Sequence, residues 1–234
     1  MIVVESKRKR IENILKRYPK AIIADVTSQA SNALKILSPF YPHGDIPVPY
    51  TNELVKASCV ESIWQGLKVF KNEDINISVF NNATMSNIKR TTRKHGKIMG
   101  HKRGPYGSND DLLSYIGGRK NIYIVAYRWM IEHHALSIID RLRKADAEGK
   151  TIVLLDYNTN CDINDTSKPL SHAYLVKAYA QGLQPFEDVL ENLEIHHFYC
   201  GRKTFEWTTK ETQYKKVINE IDNNGQLRIE FDVE

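Results

Sequence analysis

The segment 58–70 combines an acid, an amide and an amine at spacings that suit chemistry on a polar ligand. Glu61, Gln65 and Lys68 are four and three residues apart, so the helix predicted here places them on one face, flanked by Trp64. The carboxylate can transfer a proton, the lysine can stabilise an anion or attack a sugar carbonyl carbon, and the indole can stack on a base. The alternative is a solvent-exposed face with an ordinary charge pair, and with Trp64 in the core.

A second acidic position follows the apolar segment 151–155, which we predict to be a buried strand. Asp156 and Asn158 come directly after it. A carboxylate at the end of a buried strand is a common site position in α/β architectures, so Asp156 is a candidate second catalytic carboxylate or a ligand of ribose hydroxyls. The alternative is that these side chains form Asx turns that end the strand.

The segment 75–109 contains seven Lys and Arg residues and no acidic residue. Together with four glycines, this bias predicts a flexible basic loop that binds a pyrophosphate or a nucleic-acid backbone; the alternative is a solvent-exposed charged face. The candidate ligand-binding residues on and after this loop are Arg90, Lys97, His101 and Arg103, then Arg119 and Tyr123 one helical turn apart, and His172, which is predicted to orient a partner.

These residues must be positioned by a chain in which helices dominate. Helical periodicity and capping residues predict helices over residues 6–18, 58–70, 84–94, 110–116, 119–149 (broken once or twice) and 169–181. Apolar runs predict strands over residues 1–5, 21–26 and 151–155, and alternation predicts a hairpin-like addition from 195–199 and 227–233. The Pro-rich segment 37–49 is predicted to be a rigid extended loop that presents Phe40 and Tyr41. The predicted fold class is α+β, mostly helical with short strands.

Composition narrows the class of protein. The chain has 234 residues, 41% of them hydrophobic, a formal net charge of +5, and no apolar run near the roughly 20 residues of a membrane span. We therefore expect a globular protein without a membrane segment or a secretory signal. Three widely separated cysteines predict a reducing, cytoplasmic compartment. Adjacent histidine pairs point apart and no His-Glu-x-x-His occurs, so no metal or other cofactor is predicted.

Several motifs resemble those of the NADAR family. Residues 60–70 read VESIWQGLKVF, similar to the family's central Val-Glu-His helix, with Gln four and Lys seven residues after Glu61. Residues 37–42, LSPFYP, resemble its Phe-Ser-Asn-Phe-Tyr-Pro loop, and weaker similarities occur at residues 97–101 and 168–174. Pro39 and Ser62 replace the family's Asn and His, and its Asp-x-x-Trp-Gly-x-Gly signature is absent. The chain thus resembles a divergent member over about residues 37–182, with extensions at 1–36 and 183–234 on one compact domain.

The resemblance implies a metal-independent N-glycosidase that cleaves a ribosyl C–N bond in an ADP-ribosylated base or a related nucleotide. Glu61 would stabilise an oxocarbenium-like transition state or steer water, and Lys68 would assist the leaving group or form a Schiff base with opened ribose. Asp156 is kept as a third catalytic candidate. The implied substrate is an ADP-ribosyl compound or nucleotide, with nucleic acid as a further partner. Two alternatives stay open: a non-catalytic nucleotide-binding protein and a basic nucleic-acid-binding accessory protein.

Overall fold

The computed structural model describes residues 1–189, 217–221 and 227–231, and within these ranges the chain is a mixed α/β protein with short strands. The strands are β1 Ile2–Ser6, β2 Ile22–Asp25, β3 Ile46–Pro47, β4 Lys56–Ala57, β5 Lys68–Phe70, β6 Ile98–His101, β7 Ile152–Asp156, β8 Val217–Ile221 and β9 Leu227–Phe231. The helices are α1 Ile11–Arg17, α2 Val60–Gly66, α3 Thr92–His95, α4 Tyr115–Gly118, α5 Ile124–Met130, α6 Leu136–Ala147 and α7 His172–Gln181.

The chain forms two compact units, and neither is continuous in sequence. The first contains Met1–Lys35, Ser137–Tyr157 and the described residues from Ala173 onward; the second contains Ile36–Leu136 and Asn158–His172. No helix in the described ranges has the length and apolar character needed to cross a membrane.

A three-stranded parallel sheet in the order β1-β7-β2 organises the first unit. All five residues of the central strand β7 are buried, which confirms the buried strand predicted over residues 151–155. Ile14 of α1 packs with Ile23, Val153 and Leu155 in the core of this unit. The central strand is apolar from Ile152 to Leu155 because its neighbours flank it on both edges and side chains cover its faces.

The second unit is built around α2, which is buried along its whole length. Two short antiparallel pairs, β3 with β4 and β5 with β6, belong to this unit. A long helical run follows α4, with π-helical turns at Arg119–Tyr123 and Ile131–Ala135 on either side of α5. These interruptions agree with the broken helix that was predicted over residues 119–149. Buried polar groups on these elements form the cluster described below.

Some predicted elements are wrong in extent. Residues 84–94 are not a helix, since α3 is a single turn at Thr92–His95. The Asn82 side chain instead accepts hydrogen bonds from the backbone N–H (2.9 Å) and hydroxyl (2.8 Å) of Thr84, and such Asx turns compete with helix formation. The helix predicted over 110–116 begins only at Tyr115, where the Ser114 hydroxyl accepts from the backbone N–H of Gly117 at 3.1 Å.

At the C-terminal end of the chain, β9 confirms a strand within residues 227–233, and its antiparallel partner is β8. The segment 195–199, predicted as the other strand, lies outside the described residues.

Candidate functional site

The first turn of α2 is fixed by a reciprocal cap. The Cys59 sulfur accepts from the backbone N–H of Ser62 at 3.3 Å, and the Ser62 hydroxyl accepts from the backbone N–H of Cys59 at 3.3 Å. Ser58 is therefore not the cap, contrary to the prediction, and Glu61 lies inside the first turn. The backbone N–H of Glu61 donates to the carbonyl of Pro39 at 2.8 Å, which holds the Pro-rich loop against the helix.

The helix ends earlier than predicted, and Lys68 lies on β5 instead. The main chain of residues 68–70 pairs with β6, so their backbone hydrogen bonds are made in a sheet. At Gly66 a Cβ atom would overlap the ring of buried Phe80, so only glycine allows this close approach. The prediction that Glu61, Gln65 and Lys68 share one face of a single helix is therefore wrong, because Lys68 lies on a strand.

The three predicted side chains nevertheless meet in one buried hydrogen-bond chain. Gln65 Nε2 donates to Glu61 Oε1 at 2.6 Å, and Lys68 Nζ donates to Gln65 Oε1 at 3.0 Å. Gln65 Oε1 also accepts from the backbone N–H of Arg90 at 3.1 Å. Glu61 and Lys68 each keep 7% of their surface exposed. The amide therefore couples an acid and an amine in a largely dry setting. We call Glu61, Gln65 and Lys68 the acid–amide–amine chain.

Aromatic rings pack beside this chain. Trp64 is 7% exposed and stacks on His101, with ring centroids 3.9 Å apart, and Tyr115 and Tyr123 meet its edges at 5.6 Å each. The Lys68 ammonium lies 5.3 Å from the Trp64 ring centroid, a cation–π distance. Trp64 accordingly packs in the core, the alternative role that we considered for it. Both ring nitrogens of His101 are buried, and burial lowers the pKa of His101 to about 3, so the ring is neutral at physiological pH.

Burial moves the pKa of the acid and of the amine in opposite directions. Burial raises the pKa of the Glu61 carboxyl, opposed by the hydrogen bond from Gln65 and by the charges of Lys68, Lys89 and His172. Burial lowers the pKa of Lys68 from its ordinary 10.5 to about 8, opposed by the charge of Glu61. Perturbed acid and base groups that lie together are typical of catalytic sites.

The lowered pKa of Lys68 predicts how stability changes with pH. Between pH 8 and about 10.5 the folded chain has released this proton and the unfolded chain still holds it, so the free energy of unfolding should rise with pH over this range. Denaturant unfolding at several pH values would measure this rise, and K68M should lack the Lys68 contribution. The same pH dependence in both proteins would contradict the lowered pKa.

Much of the predicted basic loop is already paired. The Arg90 guanidinium is buried and donates to the carbonyls of Gln65 (3.1 Å), Lys68 (2.7 Å) and Asp74 (2.6 Å). Lys102 pairs with Asp74 at 2.9 Å, and Arg103 with Asp111 at 2.8 Å. The acidic partners Asp74 and Asp111 lie just outside the segment 75–109. The absence of acidic residues within the segment therefore does not mean that all its cations are available to bind phosphate. Arg90 instead fixes the backbone around Gln65 and Lys68.

The Arg119 guanidinium is likewise buried and hydrogen-bonded within the protein. Arg119 is 2% exposed, and its guanidinium donates to the carbonyls of Ile163 (2.8 Å), Asp165 (2.7 Å) and Lys168 (2.6 Å). Three of its five N–H donors therefore hold the segment 163–168 in place.

Other predicted ligand-binding residues of the second unit are more accessible. Phe40 and Tyr41 are half-buried on the Pro-rich loop, and the Lys89 ammonium lies 5.4 Å from the Phe40 ring centroid. Lys97 is exposed and Asn158 is half-buried. His172 is 9% exposed, and its charge acts on Glu61. Lys89 was not among the predicted ligand-binding residues, although its place next to Arg90 in the basic segment was a signal for it.

Asp156 belongs to the first unit. It is 3% exposed and ends β7, where Oδ1 accepts from the backbone N–H of Tyr157 at 2.6 Å and Oδ2 from that of Ala173 at 3.4 Å. Both bonds tie the end of the strand to backbone N–H groups, and neither is the bond to the backbone two residues on that defines an Asx turn. Among the described residues no group of three or more His, Cys, Asp or Glu side chains is placed to hold a metal ion.

The fold and the acid–amide–amine chain define a mixed α/β protein with a buried ionisable cluster in its second unit. The model of a family of unknown function (DUF6939) matches residues 6–176, and the chain belongs to that family. Searches of curated proteins and of solved structures find no match. Nothing in these comparisons links the chain to the NADAR family, so that resemblance stays a prediction.

Proposed function

We propose that the protein is an N-glycosidase that cleaves the bond between a ribosyl anomeric carbon and a base nitrogen, in an ADP-ribosylated base or a related nucleotide. The observation that carries this proposal is the buried chain in which Gln65 bridges Glu61 at 2.6 Å and Lys68 at 3.0 Å. The resemblance of residues 60–70 and 37–42 to NADAR motifs supports the same reaction.

The two ionisable groups suit the charges that develop in this reaction. When the C–N bond breaks, its electron pair goes to the base nitrogen and leaves positive charge on the anomeric carbon and ring oxygen. The Glu61 carboxylate stabilises that charge and takes a proton from the water whose oxygen attacks the anomeric carbon. The Lys68 ammonium donates a proton to the departing base nitrogen. A pKa of about 8 makes this ammonium a stronger acid than ordinary lysine, yet it stays mostly protonated at neutral pH.

Binding would use half-buried and exposed residues of the second unit. Phe40 and Tyr41 offer rings for a base, and Lys89 beside Phe40, with exposed Lys97, offers positive charge for phosphates. Buried Cys59 is a free thiol, which supports a reducing, cytoplasmic compartment as part of the proposal.

A non-catalytic protein that binds an ADP-ribose derivative is the second candidate. It is favoured by the hydrogen bonds that join Gln65 to Glu61, Lys68 and Arg90, since this arrangement is also stable without turnover.

The test is incubation of the protein with ADP-ribosylated guanosine, NAD or free ADP-ribose, followed by mass spectrometry of the products. We expect release of ADP-ribose and guanosine from the first substrate, and no change in free ADP-ribose. Binding of ADP-ribosylated guanosine without any product would favour the second candidate. Neither binding nor product from the folded protein would contradict both.

A further inference from the structure

The start of the first unit holds a concentrated positive charge. Residues 1–20 contain seven Lys and Arg side chains against two Glu side chains, a surplus as large as the +5 of the whole chain. Six of these seven cations lie on the loop that follows β1 and on α1. The loop therefore leaves the carboxyl end of a parallel strand, the side of such sheets where ligands commonly bind.

A cavity of about 650 Å³ opens at this loop. Four of its seven lining residues are cations, namely Lys7, Lys9, Arg10 and Lys16, and the only acid among the seven is Glu12. The cavity is therefore concave and positively charged, which concentrates anions.

Carboxylates neutralise two of the four lining cations. Lys7 pairs with Asp25, and Lys9 pairs with Glu5 at 2.6 Å. Arg10 and Lys16 are exposed, and no carboxylate of the described residues lies within ion-pair distance of either. Two cations thus remain available on the wall of one cavity.

An aromatic side chain lies next to the same loop. Tyr157 is 38% exposed, its carbonyl accepts from the Arg8 guanidinium at 3.1 Å, and Arg8 lies 5.6 Å from the centre of its ring. Proteins that bind single-stranded nucleic acid commonly combine an exposed aromatic ring with a row of cations, since the cations contact the phosphate backbone and the bases stack on the ring. A membrane surface fits less well, because the apolar residues Ile14, Ile11 and Leu15 of α1 pack on the core.

We propose that this cavity binds the phosphate backbone of single-stranded nucleic acid, with Arg10 and Lys16 contacting phosphates and Tyr157 stacking on a base. The proposal is independent of the N-glycosidase, whose residues Glu61 and Lys68 belong to the second unit.

The experiment measures fluorescence anisotropy of a labelled thymidine oligonucleotide of about 20 nucleotides, titrated with the full chain at several salt concentrations. We expect R10E/K16E to bind at least about tenfold more weakly at low salt. The slope of log affinity against log salt concentration should be less steep by about 1.4 for this variant, since each single-strand phosphate contact contributes about 0.7 to the slope and two contacts are lost. Y157A should weaken binding of the oligonucleotide by at least about fivefold and leave binding of inorganic polyphosphate unchanged.

K71E/K120E is the matched control, because it makes the same charge change at exposed lysines of the second unit. It should bind within about twofold of the wild type. Equal weakening in both double variants would overturn the proposal, since net charge alone would then explain binding. Absence of oligonucleotide binding by the wild type, or binding only to vesicles that contain phosphatidylserine, would also overturn it. Circular dichroism spectra would verify that each variant is folded.

Discussion

Glu61→Gln is expected to lower turnover of an ADP-ribosylated base by at least about 10³-fold, near the upper part of the range for a lost acid–base group. The amide cannot take a proton from water and cannot supply the negative charge that opposes the oxocarbenium-like transition state. It keeps an oxygen that can accept from Gln65 Nε2, so the hydrogen bond now seen at 2.6 Å has a partner in the variant. Affinity for the uncleaved ligand should therefore stay within about threefold of the wild type.

The stability of the same variant separates a catalytic role from a structural one. Burial raises the pKa of Glu61, which means that the folded state disfavours its charged form, so neutral Gln should fold at least as stably at neutral pH. Glu132→Gln is the control, because Glu132 forms a surface ion pair with Arg128 at 2.8 Å. Full turnover by E61Q would refute the proposed role of Glu61. Marked unfolding of E61Q with no specific loss of turnover would show that Glu61 serves the fold.

The composition of the cluster could be predicted from the sequence, and its geometry could not. Glu61, Gln65 and Lys68 were selected by helical spacing, but Lys68 reaches Gln65 from a strand. The change from helix to strand depends on pairing with β6, about 30 residues further along the chain. Helical periodicity is a local signal and carries no information about such a partner. The buried strand β7 could be predicted because its continuous apolar run is itself the local signal.

The sequence also could not show which arginines are buried and hydrogen-bonded within the protein. Arg90, Arg103 and Arg119 look alike in the sequence, as cations near glycines and aromatic residues. In the structure Arg103 forms a solvent-exposed pair, whereas Arg90 and Arg119 are buried against backbone carbonyls. The carbonyl partners of Arg119 are 44 to 49 residues away in sequence. Because backbone carbonyls occur at every residue, composition gives no signal of where such a guanidinium will bind.

Arg119→Met is expected to give the largest loss of stability among these variants. The substitution keeps an apolar chain of similar length but removes donors to three carbonyls of residues 163–168. Asn160 still donates to the carbonyls of Asp165 (3.0 Å) and Lys168 (3.2 Å). The substitution therefore affects the carbonyl of Ile163 most. At about 1–3 kcal/mol for each buried group left without a partner, we expect about 3 kcal/mol in total.

Thermal unfolding measures this effect, and about 3 kcal/mol corresponds to a fall in Tm of about 6–12 °C for a chain of this size. Arg103→Met is the matched control, since it removes the same side chain from an exposed pair with Asp111 and should leave Tm nearly unchanged. The comparison also tests the substrate-binding role that the sequence predicts for Arg119. If R119M keeps its Tm but loses affinity for ADP-ribosylated guanosine, the guanidinium binds ligand and the structural role argued here is wrong.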